Sequence, residues 1–194
     1  MLNLGRHPDF ARALLARITE LCKTLMGHFL RECGDNIDMI KIGDDLGMQN
    51  TLLISPKMYR EILKPFHADY ISFIKAHTKA KVFFHTDGDV YPLIPDFIEM
   101  GVDILNPIQT SAGKMSDLDG LKKQFGKNII FCGGIDTHRV LPFGTPEDVR
   151  KEVKRIIDVL GKDGGYMLAS VHTVMSDVTP ENVLAMVDAV DEFG

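Results

Sequence analysis

The stretch KVFFHTDGDV at residues 81–90 sets a short apolar run directly before a histidine, a threonine, an aspartate and a glycine. A short apolar run that stops at polar residues and glycine is typical of a buried β-strand. Because side chains at i and i+2 of a strand face the same way, His85 and Asp87 are predicted to converge where this strand ends. An imidazole beside a carboxylate suits a metal ion or proton transfer, but a hydrogen-bonded structural pair accounts for it equally well.

Similar apolar runs occur along the chain, and segments with helical features separate them. Continuous apolar strands that alternate with helices are typical of a parallel sheet covered by helices. The fold class is therefore predicted to be α/β, with about five parallel strands and helices between them. The other strand candidates are DMIKIGDDLG (38–47), VDILNPIQ (102–109), NIIFCGGID (128–136) and GYMLASVH (165–172).

Helix signals frame these runs. Ser55 is predicted to cap a helix that Pro56 begins and Pro65 kinks or divides. Thr145 and Asp148 have the spacing of a capping box. Residues 1-34 are predicted to be an N-terminal helical segment of a single domain, 1-194, because apolar residues recur there at helical spacing. Those residues are Phe10, Leu14, Leu15, Ile18, Leu21 and Leu25.

The composition narrows the class of protein. The chain has 194 residues, 45% hydrophobic and 25% charged, which predicts one soluble globular domain. A net charge of -5 argues against a general nucleic-acid or membrane surface role. Three cysteines without CxxC spacing, and no signal peptide, favour a cytoplasmic location. No apolar run approaches the about 20 residues that span a bilayer.

Polar side chains collect at the predicted carboxyl ends of the strands. An α/β barrel builds its active site at that edge, and an open doubly wound sheet would use the same edge. If the sheet curves, His172 would face His85 across the barrel mouth, and two histidines with one carboxylate suit catalytic zinc. The residues are Asp44, Asp45, His85, Asp87, Asn106, Gln109, Asp136 and His172.

The remaining candidates have simpler interpretations. Asp44 and Asp45 are equally consistent with solvated loop acids. Cys132 is predicted to be a small buried residue, since no base is evidently paired with it. The other histidines are predicted to be surface or packing residues on helices or loops; they are His7, His28, His67, His77 and His138.

Four ordered segments resemble the uroporphyrinogen decarboxylase superfamily, from about residue 7 to the end. The resemblance implies a (β/α)8 barrel. Such a barrel takes about 250 residues and eight strands, so the chain is predicted to be a partial (β/α)8 TIM barrel, the C-terminal portion of the family fold. The segments are DMIKIGDDLGMQNTLLISPKMYREILKPF (38–66), HTDGDVYPLIPDFIEMGVDILNPIQ (85–109), FCGGIDTHRVLPFGTPEDV (131–149) and GYMLASVHTVMSDVTPENVLAMV (165–187).

The superfamily includes zinc-dependent, corrinoid-linked methyltransferases, and the chain is predicted to be closer to that branch. Those enzymes bind zinc through a His-x-Cys-Gly segment and a later cysteine. In this sequence His85, Asp87 and Gly88 correspond to the His-x-Cys-Gly segment, and His172 corresponds to the later cysteine. Both cysteines are thus replaced by oxygen or nitrogen donors, which are harder than thiolates. The resemblance thus implies His85, Asp87 and His172 as metal ligands, Asp44, Asp45 and His172 as catalytic residues, and Asn106, Gln109 and Asp136 as substrate-binding residues.

The heme-pathway decarboxylase is the alternative within the superfamily. The segment SVHTVMSDVTPENV (170–183) resembles its closing segment, where the histidine contacts the porphyrinogen. His172 would then carry that role and Asp45 would replace a serine near the substrate. The HTDG segment, however, is unlike that of a decarboxylase.

The partner expectations follow from the same resemblance. The implied ligands are a methyl donor or a tetrapyrrole, with zinc as the metal and a corrinoid carried by a partner protein. Five parallel strands would leave two open sheet edges, so a homodimer or completion by another chain is predicted. A third possibility is a non-catalytic barrel remnant that binds a partner.

Overall fold

The structure, a computed structural model, describes residues 2–194 and has a five-stranded parallel sheet at its centre. The strands pair in chain order, β1-β2-β3-β4-β5. This confirms the predicted α/β fold with about five parallel strands. The strands are β1 Met39–Gly43, β2 Lys81–His85, β3 Ile104–Ile108, β4 Ile130–Ile135 and β5 Tyr166–Ser170.

Helices connect the strands and begin and end largely at the predicted signals. Ser55 accepts a hydrogen bond from the Met58 amide, and Thr145 and Asp148 form the capping box. Gly101 ends its helix in the left-handed conformation, with φ 89°. The helices are α1 Leu2–Arg6, α2 Pro8–Cys33, α3 Pro56–Met58, α4 Lys64–His77, α5 Ile94–Met100, α6 Leu118–Phe125, α7 Val140–Phe143, α8 Pro146–Leu160 and α9 Pro180–Phe193.

The helix that Pro65 is predicted to kink or divide is indeed divided. A π-helical turn, Tyr59–Leu63, separates α3 from α4, and Pro65 lies in the first turn of α4. Proline lacks an amide hydrogen, so it is tolerated where a helix begins. Tyr59, the first residue of this turn, is fully buried in the main core.

The two faces of the sheet are covered differently. On one face of the sheet, which we call the outer face, residues such as Ile40, Phe84 and Leu105 point toward the helices and form the main core. The opposite, inner face has only a small buried cluster, Phe83, Ile104 and Cys132. A partial barrel that is covered outside and open inside produces this arrangement.

The sheet is strongly curved. Three strand spacings, about 14 Å in a flat sheet, separate β2 from β5. Yet the rings of His85 at the end of β2 and His172 beyond β5 are 6.5 Å apart between centroids. The carboxyl ends of distant strands therefore converge, as in a barrel.

Helix α2 presents an apolar stripe that the described residues leave uncovered. It packs against α4, where Lys23 bonds Asp69 at 3.1 Å, but only Ala11, Thr19 and Leu30 of its side chains are buried. The stripe consists of Phe10, Leu14, Ile18, Leu21, Leu25 and Phe29, which are 45% to 61% exposed. Within residues 2–194, no helix has the length and apolarity needed to cross a bilayer.

Candidate functional site

Three side chains meet where β1 and β2 end. These are Asp45, His85 and Asp87, which we call the metal-type group, and one ligand atom from each lies within 4.8 Å of the others. The register explains this, because Gly43 pairs with His85, and Asp45 and Asp87 each follow by two residues on the same face. The Asp87 amide donates to Asp45 Oδ1 at 3.2 Å, which ties the two strand ends together.

His85 is oriented by Asn106 on the neighbouring strand. His85 Nδ1 lies 2.7 Å from Asn106 Oδ1, while Asn106 Nδ2 donates to the carbonyl of Cys132 at 3.4 Å. Turning the amide over would set its oxygen against that carbonyl, so Oδ1 must face the imidazole. Nδ1 of His85 therefore carries a proton, and Nε2 lies 3.6 Å from Asp87 Oδ2. In the neutral ring this arrangement leaves Nε2 as the nitrogen that can bind a metal.

His172 joins this group at its edge. Its Nε2 is 3.8 Å from Asp87 Oδ2, the same carboxylate oxygen that faces His85. The side chain of His172 is 58% exposed, whereas that of His85 is 24% exposed. The sequence predicts that His85 and Asp87 lie with His172, and the three side chains do lie together. The tightest group, however, contains Asp45 in place of His172.

Glycine at two positions makes the close approach of these strand ends possible. A Cβ on Gly43 would lie 2.5 Å from the His85 carbonyl oxygen. Gly88 has φ 86°, and a Cβ there would lie 2.5 Å from the backbone of Gly47. Both contacts involve backbone atoms, so larger residues would push the Asp45 and Asp87 segments apart.

Asp44 contacts His67, which the sequence predicts to be a surface or packing residue. His67 Nε2 on α4 lies 3.4 Å from Asp44 Oδ2, and His67 Nδ1 lies 3.2 Å from the Tyr59 hydroxyl. Burial, followed by the carboxylates of Asp96 and Asp44, raises the pKa of Tyr59 far above its usual value. Tyr59 therefore stays a phenol that can donate to His67, and His67 can donate to Asp44.

The predicted substrate-binding residues all have contacts within the fold. Asn106 is buried, and its amide contacts His85 and Cys132 as described above. Gln109 Oε1 accepts from the Gly88 amide at 2.8 Å, so it holds the loop that carries Asp87. Asp136 Oδ1 accepts from the His138 amide at 2.8 Å and lines a separate polar cleft. Their assignment to substrate binding stays a prediction.

The donor atoms of the metal-type group, one imidazole nitrogen and carboxylate oxygens from two aspartates, suit a divalent cation. Two carboxylates repel each other unless a cation or proton lies between them. Ligand bonds of about 2.1 Å to a tetrahedral ion set its donors about 3.4 Å apart, and partly exposed side chains can close in to that spacing. Burial raises the pKa of the Cys132 thiol, so this cysteine is a poor thiolate donor.

Comparison with known proteins places these strand ends in context. The sequence model of the family described as "Uroporphyrinogen decarboxylase (URO-D)" matches residues 2–193. A uroporphyrinogen decarboxylase of Pelodictyon phaeoclathratiforme is 23% identical over 96% of this chain and 50% of its own length. One of Psychromonas ingrahamii is 34% identical over 40% of this chain and 21% of its own. The chain thus spans about half the length of the curated relative that it matches from end to end.

A solved structure has the same fold. A methyltransferase from Methanosarcina mazei superposes with a TM-score of 0.64 and 24% identity, over 81% of this chain and 43% of that one. The likeness supports the interpretation of the curved sheet as part of a (β/α)8 barrel.

Proposed function

Because the chain belongs to the uroporphyrinogen decarboxylase family, we propose that it supplies the metal-binding half of a methyl-transfer active site. The methyl group passes from a methylated substrate to or from a corrinoid protein or a thiol. The observation that carries this proposal is the grouping of Asp45, His85 and Asp87 within 4.8 Å at the carboxyl ends of β1 and β2.

In this proposal His85 Nε2 and the carboxylates of Asp45 and Asp87 hold a divalent metal, and His172 is the next donor at the rim. Zinc fits a nitrogen and oxygen donor set of this kind. A bound zinc would supply Lewis acidity to the heteroatom that gives or takes the methyl group. Two further residues orient the metal ligands. Asn106 contacts the ring of His85, and Gln109 holds the loop that carries Asp87.

Asp44 has a separate role in the proposal. Its carboxylate contacts His67, and the residue lines the small cavity beside His85. From there it would contact the substrate or hold a proton near it. The proposed catalytic residues are Asp44, Asp45 and His172.

Decarboxylation of a porphyrinogen is the second candidate function. The curated relatives are named uroporphyrinogen decarboxylases, and His172 lies at the open mouth where a large substrate has access. In this case no metal is needed, and His172 and Asp45 would contact the tetrapyrrole. A third candidate, a non-catalytic remnant that binds a partner, is favoured by the open inner face.

Zinc titration separates these candidates. Isothermal calorimetry on the full chain is expected to give one zinc site that His85→Ala and Asp87→Ala each weaken by at least about tenfold. His77→Ala is the matched control, because His77 ends α4 and lies near Lys81 at the amino end of β2, whereas His85 is at the carboxyl end of that strand. Equal zinc affinity in all variants would refute the metal site, and metal-independent porphyrinogen turnover would favour the decarboxylase.

We also propose that a second copy of the chain, in the cytoplasm, covers part of its open surface. The α2 stripe is self-complementary, because its members lie in pairs at equal distances from a point between Thr19 and Glu20. An antiparallel twofold pairing would bring each residue against its counterpart. The pairs are Phe10 with Phe29, Leu14 with Leu25, and Ile18 with Leu21. Another chain that completes the barrel is the alternative occupant.

A further inference from the structure

Lys41 is a cation on the inner face of the sheet, directly below the metal-type group. It pairs in register with Phe83, and the next inner pair toward the carboxyl edge is Gly43 with His85. Side chains two apart on a strand share a face, so Lys41 lies one layer deeper than His85. One cavity of about 370 Å³ is lined by both residues, together with Ile42, Gly43, Asp44 and Asp45.

The surroundings of Lys41 are apolar toward the sheet. Its Nζ lies 5.9 Å from the centre of the Phe83 ring. Phe83, Ile104 and Cys132 form the small buried cluster of the inner face. A lysine beside such a wall keeps its stem on the apolar surface and its ammonium free to contact a ligand.

Lys41 also lacks an internal counterion. Among residues 2–194, no carboxylate lies within 4.0 Å of its Nζ, whereas Lys23, Lys64 and Lys75 all have one. The carboxylates that share its cavity, Asp44 and Asp45, contact His67 and the Asp87 amide instead. Lys41 is exposed where the inner face is open, and a cation there without a carboxylate partner is a suitable binding group for an anion.

We propose that Lys41 binds a carboxylate of the substrate while the reacting atom lies at the group formed by Asp45, His85 and Asp87. Both groups would contact one ligand within the single cavity that Lys41, Asp45 and His85 line. The substrate class is therefore a small carboxylic acid, with a flat part that can lie against Phe83. This inference rests on the proposed function, because it takes the metal-type group as the reacting centre.

Binding of benzoate, with benzamide as the uncharged probe of equal size, tests the proposal on the full chain without metal. NMR titration is expected to show benzoate binding at least about tenfold tighter than benzamide, since hydrogen bonds to charged groups are the stronger ones. Lys41→Gln should abolish this preference and Lys41→Arg should largely retain it. Lys79→Gln, an exposed lysine just before β2, should leave it unchanged.

Two results would overturn the proposal: no benzoate preference in the unmutated chain, or a preference that survives Lys41→Gln. A folded Lys41→Gln variant is verified by an unchanged thermal midpoint. Zinc titration of the same variant keeps the two proposals apart. Loss of the benzoate preference with normal zinc binding supports Lys41 as the anion site. If no variant binds zinc, the metal-site proposal alone is refuted.

Discussion

His85 Nδ1 and Asn106 Oδ1 lie 2.7 Å apart, and this single contact determines which nitrogen of the imidazole faces the pocket. Asn106 is itself held by the carbonyl of Cys132 on β4. Three neighbouring strands thus cooperate to orient one ring. The strand ends bring ligand-type atoms together, but the amide decides whether His85 presents a lone pair or a proton.

Replacing Asn106 should therefore weaken metal binding without removing a ligand. Asn106→Leu leaves Nδ1–H of His85 unpaired in a buried position, and a zinc affinity about 10- to 100-fold lower is expected. Asn106→Asp keeps the acceptor oxygen and should retain more of the affinity. Competition with a chromophoric chelator measures both. Equal affinities in Asn106→Leu and the unmutated chain would contradict the orienting role.

Coupling between Tyr59 and His67 should be measurable as stability. Tyr59→Phe removes one hydroxyl from a fully buried ring and should lower the free energy of unfolding by about 1 kcal/mol. In a double-mutant cycle with His67→Leu, a coupling of about 0.5–1.5 kcal/mol is expected if the hydroxyl bonds the imidazole. Urea unfolding gives the four values, and additive losses would indicate that the contact has no energetic weight.

Asp96 should make stability fall in acid. Its side chain is 5% exposed and bonds Lys64 at 2.8 Å and Arg60 at 2.9 Å. Burial alone would raise the pKa of Asp96, but Arg60 and Lys64 outweigh it and lower the pKa.

Because the pKa of folded Asp96 is below the unfolded value of about 3.9, its stabilisation is complete above that value. It is lost as the pH falls through the folded value. Asp96→Asn should cost about 1–3 kcal/mol at pH 7 and flatten the acid limb of the stability curve below about pH 4. Urea unfolding from pH 7 to 2 measures this, and parallel curves for both proteins would exclude the effect.

Gly43→Ala should damage both stability and metal binding. The new Cβ would lie 2.5 Å from the His85 carbonyl oxygen, which is backbone and cannot rotate away. Overpacking of this kind costs about 1–3 kcal/mol. Gly34→Ala is the matched control, because its nearest neighbour would be at 3.7 Å, an ordinary contact. Thermal unfolding and zinc titration on both variants check the difference; matching results for the two would count against the tight strand approach.

The α2 stripe should control oligomeric state. Leu21→Lys combined with Leu25→Lys sets four charges into a twofold interface and should convert a dimer into a monomer. Leu184→Lys on α9, equally exposed at 61%, serves as the control. Light scattering after size-exclusion chromatography measures the mass. A monomer before mutation would refute the second-copy proposal, and a complex with a different chain would favour barrel completion instead.

Local signals in the sequence predicted much of the fold. The caps at Ser55 and Thr145 depend on residues within one turn, so they could be predicted directly from the sequence. The strands were evident from short apolar runs. The π-helical turn before Pro65 was not predicted, since it depends on how Tyr59 packs under the sheet.

The site was predicted less completely, because its contacts cross between elements. His85 and Asp87 could be paired from their spacing on one strand. The sequence predicts His67 to be a surface or packing residue, because nothing near it in sequence indicates Asp44, which it contacts only when α4 packs against the sheet. Asp45 was assigned to catalysis, and only the register of β1 with β2 brings it beside Asp87. The division into a helical segment, 1-34, and a single domain stays a prediction.

The chain-order pairing of the strands also affects how the protein folds. Each described strand pairs with the strand before or after it in sequence, so no pairing skips an intervening strand. Paired residues are nevertheless well separated along the chain, as in Met39 with Lys81 and Phe83 with Ile104. Each pairing therefore closes a loop, and the entropy of that loop is lost before its contacts form. Because no pairing skips a strand, assembly can still proceed by successive addition of strand–helix units, so each unit forms on the one already in place.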